Sequence, residues 1–209
     1  LPTLMGPDTT VVTLQNGMGN AEEIARIIPA DRIYVGLCFI CAMREKPGHV
    51  NHLEGGNIQF APFIPTPEGT EKARELSELF ANAGIKTRAF DAAEQIQWYK
   101  LVWNIPFNGL CLALGGISIA ELYQNPENVM RARRIMEEVV QAAKARGYAL
   151  PEDLVEFHLS RTETMGAFIP SSAVDYNEGR PVEYTAIWGD PLSKARQAGA
   201  SVPEWELLD

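Results

Sequence analysis

The chain has 209 residues, 46% hydrophobic and 22% charged, which is enough to bury a sizeable core and to build two domains. Its formal net charge of −9 argues against nucleic acid as a partner, because a basic groove is the usual footprint of that function. Apolar runs such as VGLCFICAM and GAFIP are far shorter than the roughly 20 residues that cross a bilayer, and no basic, then apolar leader precedes them, so no membrane partner is expected and a cytoplasmic setting is the default.

From Leu1 the chain enters almost at once a strand-like run, TTVVTL at residues 9–14, as though cut from something longer. QNGMGN forms a turn before AEEIARII, whose apolar residues recur at helical spacing. A strand follows in IYVGLCFICAM, and then PGHVNHLEGGNIQF, where Gly55-Gly56 between two extended runs predicts a hairpin. Residues 68–83 predict an amphipathic helix ending at Gly84, with a short strand, IKTRAF, after it. From about Asp91 the strand signals stop. Asp91 can cap a helix that runs through Lys100 and Asn104 to about Leu114, with Gly115 and Gly116 closing it. Pro106 inside that helix removes one backbone donor and predicts a kink. A helix in MRARRIMEEVVQAAKARG closes at Gly147, a further one begins after Pro151, and another spans Glu183 to Gly199. Within the last, Pro191 marks either a bend or the first turn of a new helix capped by Asp190. The fold class is therefore α/β plus all-α: an α/β segment over residues 1–91 and a helical domain over 92–209, about 115 residues and near the usual domain size.

Cys38, Cys41 and Cys111 are odd in number and sit among aliphatic or aromatic neighbours, which predicts buried, reduced thiols. Cys38 and Cys41 spell C-x-x-C, but no second ligand pair follows and LCFICAM reads as a strand. His49 and His52 are three apart in strand or turn, hence on opposite faces, so no metal site is expected.

The strongest chemical signal is WYKLVWNIPFNGL, where Lys100, Asn104 and Asn108 recur every four residues. On a helix each such step turns about 40° past a full circle, so the three share one face of an otherwise apolar segment. Asparagine is a poor helix-interior residue, and two on the lysine's own face cost propensity without structural return. A lysine partly removed from water gives up its proton more readily, and two amides can donate to and accept from a small oxygenated molecule. That set suits reduction of a carbonyl.

Three further residues qualify as candidates. Glu183, in GRPVEYTAIW, opens an apolar-patterned helix, where a carboxylate also suits the helix dipole as a plain surface residue. Ser171, in IPSSAVD, lies at a loop-to-helix junction, either as an N-cap or, with its neighbouring N–H groups, as a site for a carboxylate. Asn16 follows a strand and should stand at the carboxyl edge of the sheet, where open α/β folds bind ligands; a turn asparagine before glycine is the alternative. Gly17 and Gly19 form G-x-G, but Glu22 occupies the third glycine position of the dinucleotide fingerprint, so no phosphate loop is read.

LQNGMGN, PGHVNHLEGG, WYKLVWNIPFNGL and PSSAVDYNEGRPVEYTA, ending in KARQAGASVP, together resemble the 2-dehydropantoate 2-reductase (ketopantoate reductase) family along essentially the whole chain. The resemblance implies the C-terminal part of a Rossmann-type NADP-binding domain followed by a helical, 6-phosphogluconate-dehydrogenase-like domain. It also implies NADPH-dependent reduction of ketopantoate to pantoate on the route to coenzyme A. Lys100 matches the family's proton donor to the ketone oxygen, Asn104 and Asn108 its substrate-holding asparagines, and Ser171 the serine at the substrate carboxylate. Glu183 matches a glutamate beside the nicotinamide ribose, Asn16 a cofactor contact, and Ala42 a backbone cofactor contact. Lys100 and Glu183 are thus the catalytic pair, and a small 2-oxo acid is the partner, with a homodimer compatible. The chain departs from the family near Ser118 and Ile119, where a further substrate-binding asparagine of some members would fall but the spacing has shifted, so that contact is left unassigned; it also lacks the G-x-G-x-x-G loop, as a fragment of such an enzyme would. Two other readings compete: a related reductase acting on another 2-oxo or 3-hydroxy acid, and a non-catalytic helical assembly module.

Overall fold

The computed structural model describes residues 2–208, leaving aside the side chains of Pro2, Met43, Arg44, Leu53 and Glu54. Leu1 and Asp209, the outer ends of the two predicted domains, lie outside the described residues. The chain divides into two compact units, Leu1–Ile96 and Gln97–Asp209.

The first unit runs β1 (Val11–Thr13), α1 (Asn20–Ala25), β2 (Ile33–Lys46), β3 (His49–Pro62), α2 (Pro67–Asn82) and β4 (Thr87–Ala89), and ends in the first turn of α3 (Ala93–Ala113). Its sheet has the order β1-β2-β3-β4, with β1 parallel to β2, β2 antiparallel to β3 and β3 parallel to β4. The period-two alternation of β2 decides the layers. Ile33, Val35 and Leu37 turn to one face, where they pack with Ala21, Ile28, Ala61, Ala93 and Ile96. Tyr34 turns to the other and packs with Phe60 and Ala73 of α2. Around Ile33–Leu37 both faces of this mixed sheet are therefore covered.

The predicted hairpin exists, but its turn is at Pro47-Gly48, and Gly55-Gly56 lies inside β3. The pairing shifts register between Phe39 and Ile40, opposite Gly55, so the double glycine marks a β-bulge. Gly55 has φ +81°, and a Cβ there would meet the Phe39 carbonyl oxygen at 2.4 Å, so only glycine fits. The cysteine expectation needs a second correction. Cys111 is buried, but Cys38 and Cys41 are half-buried. β1 pairs with Ile33–Val35 of β2 only.

The second unit carries the rest of α3, then α4 (Ile119–Tyr123), α5 (Pro126–Ala145), α6 (Leu154–Glu163), α7 (Ser171–Asn177), a π-helical turn (Thr185–Gly189), α8 (Asp190–Gln197) and α9 (Pro203–Glu206). α5 is its axis, packing on α4, α6, α8 and α9. The stripe responsible is Ala132, Ile135, Met136, Val139, Ala142 and Ala143, all buried at helical spacing. Burial of each of its larger side chains stabilises the fold by about 1.5–3 kcal/mol. Trp98 and Trp205 meet edge to face, with ring centroids 6.4 Å apart. The buried Glu138 carboxylate accepts from the backbone N–H groups of Glu204 and Trp205 at 3.0 and 2.8 Å, so α5 caps α9 and ties down the C-terminus.

Two sequence expectations for this unit are resolved by geometry. α3 starts at Ala93, one residue later than a cap at Asp91 predicts, and its helical hydrogen-bonding pattern continues through Pro106. At Pro191 the chain neither stops nor caps. Gly189 keeps helical angles, Asp190 is the first residue of α8, and Pro191 sits in its first turn, the helix being reached through the π-helical turn. Ser118, where the family motif is out of register, is spent on structure: it forms a capping box with Glu121 at the start of α4.

Candidate functional site

Lys100, Asn104 and Asn108 follow one another at one-turn intervals on α3, as the spacing requires, and their burial rises along the helix. Lys100 is half-buried, Asn104 is 5% exposed and Asn108 is 1% exposed. Around them stand Leu101, Val102, Ile105, Phe107 and Leu110, all buried. Polar groups placed in such a wall need partners, and for Asn108 the partner is α7.

The Asn108 side-chain oxygen accepts from the Ser172 backbone N–H at 3.0 Å and from the Ser171 hydroxyl at 3.4 Å. Pro170 precedes α7 and has no side-chain oxygen to cap it, so Asn108 reaches across from α3 to satisfy a first-turn donor. A backbone N–H can only donate, which fixes the amide: the oxygen faces α7 and the NH₂ faces away from it. Ser171 is consequently the first helical residue and not the N-cap that the sequence allows; its side chain is exposed.

The opposite flank of α3 is clamped by α6. Trp103 donates its indole N–H to Thr162 at 2.8 Å, and the Thr162 hydroxyl donates to the His158 carbonyl at 2.6 Å. His158 is 7% exposed, and its ring stands edge-on to Tyr99, the residue before Lys100. Burial holds its pKa down to about 4, with the charge of Arg161 adding to the shift and a hydrogen bond to the Tyr99 backbone opposing it. The imidazole is thus neutral at physiological pH.

Glu183 is exposed and lies just before the π-helical turn, its carbonyl accepting from the Ile187 N–H at 3.1 Å. That segment returns to α3 through Trp188, whose buried indole N–H donates to the Ile105 carbonyl at 3.1 Å. The helical unit therefore joins Asn108 to Ser171 by direct contact, and links the Glu183 segment to α3 through a residue that motif spacing passes over. An apolar-patterned helix start gave no signal for the Trp188 bond, because a tryptophan there reads as core. Nor could the Ser172 N–H be singled out, since a backbone donor has no sequence signature.

In the α/β unit, Asn16 is half-buried at the carboxyl end of β1, and its carbonyl accepts from the Asn20 side chain at 2.8 Å, closing the loop. Gly17 and Gly19 turn that loop with φ of 77° and 86°. Ala42 is exposed on β2, paired with His52 beside a register shift. Among the described residues, no group of three or more His, Cys, Asp or Glu side chains gathers as a metal site would. No helix among them is long and apolar enough to cross a membrane.

A family profile described as the ketopantoate reductase PanE/ApbA C-terminal region matches residues 92–208, and a second, ketopantoate reductase PanE/ApbA, matches residues 1–65. This chain belongs to the ketopantoate reductase family. A 2-dehydropantoate 2-reductase of Nostoc is 35% identical over the whole chain, which spans 66% of that relative. The crystal structure of 2-dehydropantoate 2-reductase from Geobacter metallireducens superposes with a TM-score of 0.92 at 38% identity, over 98% of this chain and 68% of that one. A ternary structure of D-mandelate dehydrogenase with NADH and anilino(oxo)acetate gives 0.87 at 25% identity, over 99% and 66%. The chain thus spans about two thirds of the length of the curated relatives it matches. Its α/β plus all-α architecture, a Rossmann-type remainder followed by a helical C-terminal domain, is that of the ketopantoate reductases.

Proposed function

We propose that this protein takes part in NADPH-dependent reduction of 2-dehydropantoate to pantoate, with the helical unit supplying the substrate wall. The observation that carries the reading is the junction of Asn108 with Ser171 and Ser172, which sets a hydroxyl and an oriented amide beside the face that holds Lys100 and Asn104. Lys100, half-buried, donates a proton to the ketone oxygen as it gains negative charge. The amides of Asn104 and Asn108 hold the oxygens of the 2-oxo acid, and the exposed Ser171 hydroxyl takes its carboxylate end. Glu183, exposed and bonded through its carbonyl to the turn that carries Trp188, is the second member of the catalytic pair in this reading.

A reduced nicotinamide, when bound, supplies the hydride. Asn16, Ala42 and Glu183 are the residues that would hold it. The polar Asn16 at the carboxyl edge of β1, beside two tightly turned glycines, fits a polar contact with such a group. The structural kinship with an NADH-bound D-mandelate dehydrogenase supports a nicotinamide cofactor, and favours as a second reading an NADH-dependent enzyme acting on a bulkier 2-oxo acid.

The test is Lys100→Ala in the complete protein, with NADPH consumption followed against ketopantoate and a panel of 2-oxo acids. Turnover should fall by about 10²–10⁴-fold while the thermal midpoint is retained. Wild-type-like kcat in that variant would remove Lys100 from the chemistry. A strong preference for an aryl 2-oxo acid and NADH would shift the assignment to the second reading.

A further inference from the structure

We propose that Trp188 is a positioning residue for the reaction: its indole N–H, donated to the Ile105 carbonyl, holds the Glu183 segment in register with the helix that carries Lys100, Asn104 and Asn108. The inference rests on the functional reading of that site.

The bond joins two irregular pieces of backbone. On α3, Ile105 is followed by Pro106, so the peptide between Asn104 and Asn108 lacks one helical donor. In the facing segment the five residues Thr185–Gly189 are π-helical, a form that usually appears as single turns and often at functional sites. Such a turn accommodates one more residue than an α-turn, so the direction of whatever precedes it depends on where the turn is anchored. Trp188 is that anchor. Its ring is 2% exposed and stacks with Tyr184, centroids 6.3 Å apart.

The space for the indole is made by Gly109, one turn beyond Ile105. A Cβ at that position would lie 3.0 Å from the Trp188 Nε1 and 2.7 Å from Leu208. A larger residue on α3 would therefore push the indole off the carbonyl. From Trp188 the connection to Glu183 is short, since the Ile187 N–H donates to the Glu183 carbonyl at 3.1 Å. One side-chain bond and one backbone bond thus link the peptide between the two asparagines to the carboxylate-bearing residue. Packing alone would tolerate any large ring here; the directed N–H specifies one depth of insertion.

Trp188→Phe keeps a buried ring and deletes the donor. In the complete protein its kcat/KM for the 2-oxo acid should fall about ten-fold, as expected for loss of one buried hydrogen bond. Replacing Trp188 by benzothienylalanine, in which sulfur stands for the N–H at nearly unchanged shape, should give the same loss with the thermal midpoint preserved, and it serves if the phenylalanine variant folds poorly. In a Glu183→Gln background the Trp188→Phe loss should shrink to less than about two-fold, because the group being positioned has already been altered. Full additivity of the two substitutions, or an unchanged kcat/KM in the benzothienylalanine protein, would overturn the role of Trp188 while leaving the reductase reading intact. A wild-type protein that reduces no 2-oxo acid with either nicotinamide would overturn both.

Discussion

Acidification should weaken the helical unit through one residue, His158. Its ring is buried against Tyr99 and Phe157, and its Nε2 has no hydrogen-bond partner among the described residues. The folded protein holds it neutral, with a pKa near 4 against an ordinary value of 6.5. Between these two values the unfolded chain binds a proton that the folded chain refuses, so stability rises with pH there. The contribution is intact above 6.5 and is lost progressively as the pH falls toward 4. Full loss corresponds to about 3 kcal/mol, and about 2 kcal/mol should be gone by about pH 5. For a chain of this size that is a drop in Tm of roughly 4–8 °C.

The assay is favoured by the sequence, because all four tryptophans, Trp98, Trp103, Trp188 and Trp205, lie in the helical unit and their fluorescence reports its unfolding alone. Urea midpoints at about pH 8, 6 and 5 should be compared for wild type and His158→Phe, which keeps an aromatic ring and removes the titrating group. The difference in unfolding free energy between the two proteins should change by about 2 kcal/mol across that range, since carboxylates common to both cancel. Parallel pH profiles for the two proteins would refute the reasoning.

Glu138→Ala strips two buried backbone donors of their acceptor and should cost about 1–3 kcal/mol, with Glu138→Gln recovering part of it, measured by the same fluorescence titration. Asn108→Asp keeps the oxygen that caps α7 and should leave the urea midpoint near wild type, whereas Asn108→Ala should lose about 1 kcal/mol; both should abolish most turnover. Cys111 has its thiol pushed up to about 12 by burial, so a native sample at neutral pH should label rapidly at Cys38 and Cys41 only, and the third thiol should appear on adding denaturant.

The elements most legible in the sequence are those whose periodicity agrees with their environment. IYVGLCFICAM is a continuous apolar run that reads as a buried strand, and β2 buries Ile33, Val35 and Leu37 on one face and Tyr34 on the other. The helix ends at Gly84 and Gly147 follow from the one residue type that adopts the left-handed conformation cheaply, and both have φ above +80°. Where two local signals compete, the pattern does not discriminate. Pro47-Gly48 and Gly55-Gly56 both read as turns, and the choice is made by cross-strand register, in which one pair closes the hairpin and the other absorbs an extra residue. Ser171 carries a cap's side chain at a helix start, yet the cap is supplied from α3.

The polar face of Lys100, Asn104 and Asn108 was determined by the sequence itself, because a four-residue repeat on a helix needs nothing beyond the helix to align its members. So was the division into an α/β part and a helical part, which follows from where strand periodicity stops. Tertiary structure alone decided what the face is attached to. The Asn108 oxygen is turned to Ser172, which lies 64 residues further along the chain, and the Ile105 carbonyl takes the indole of Trp188, 83 residues further on. Contacts at such separations depend on how the helices pack, and packing is set by the summed shape of buried side chains, which no local pattern of residues encodes.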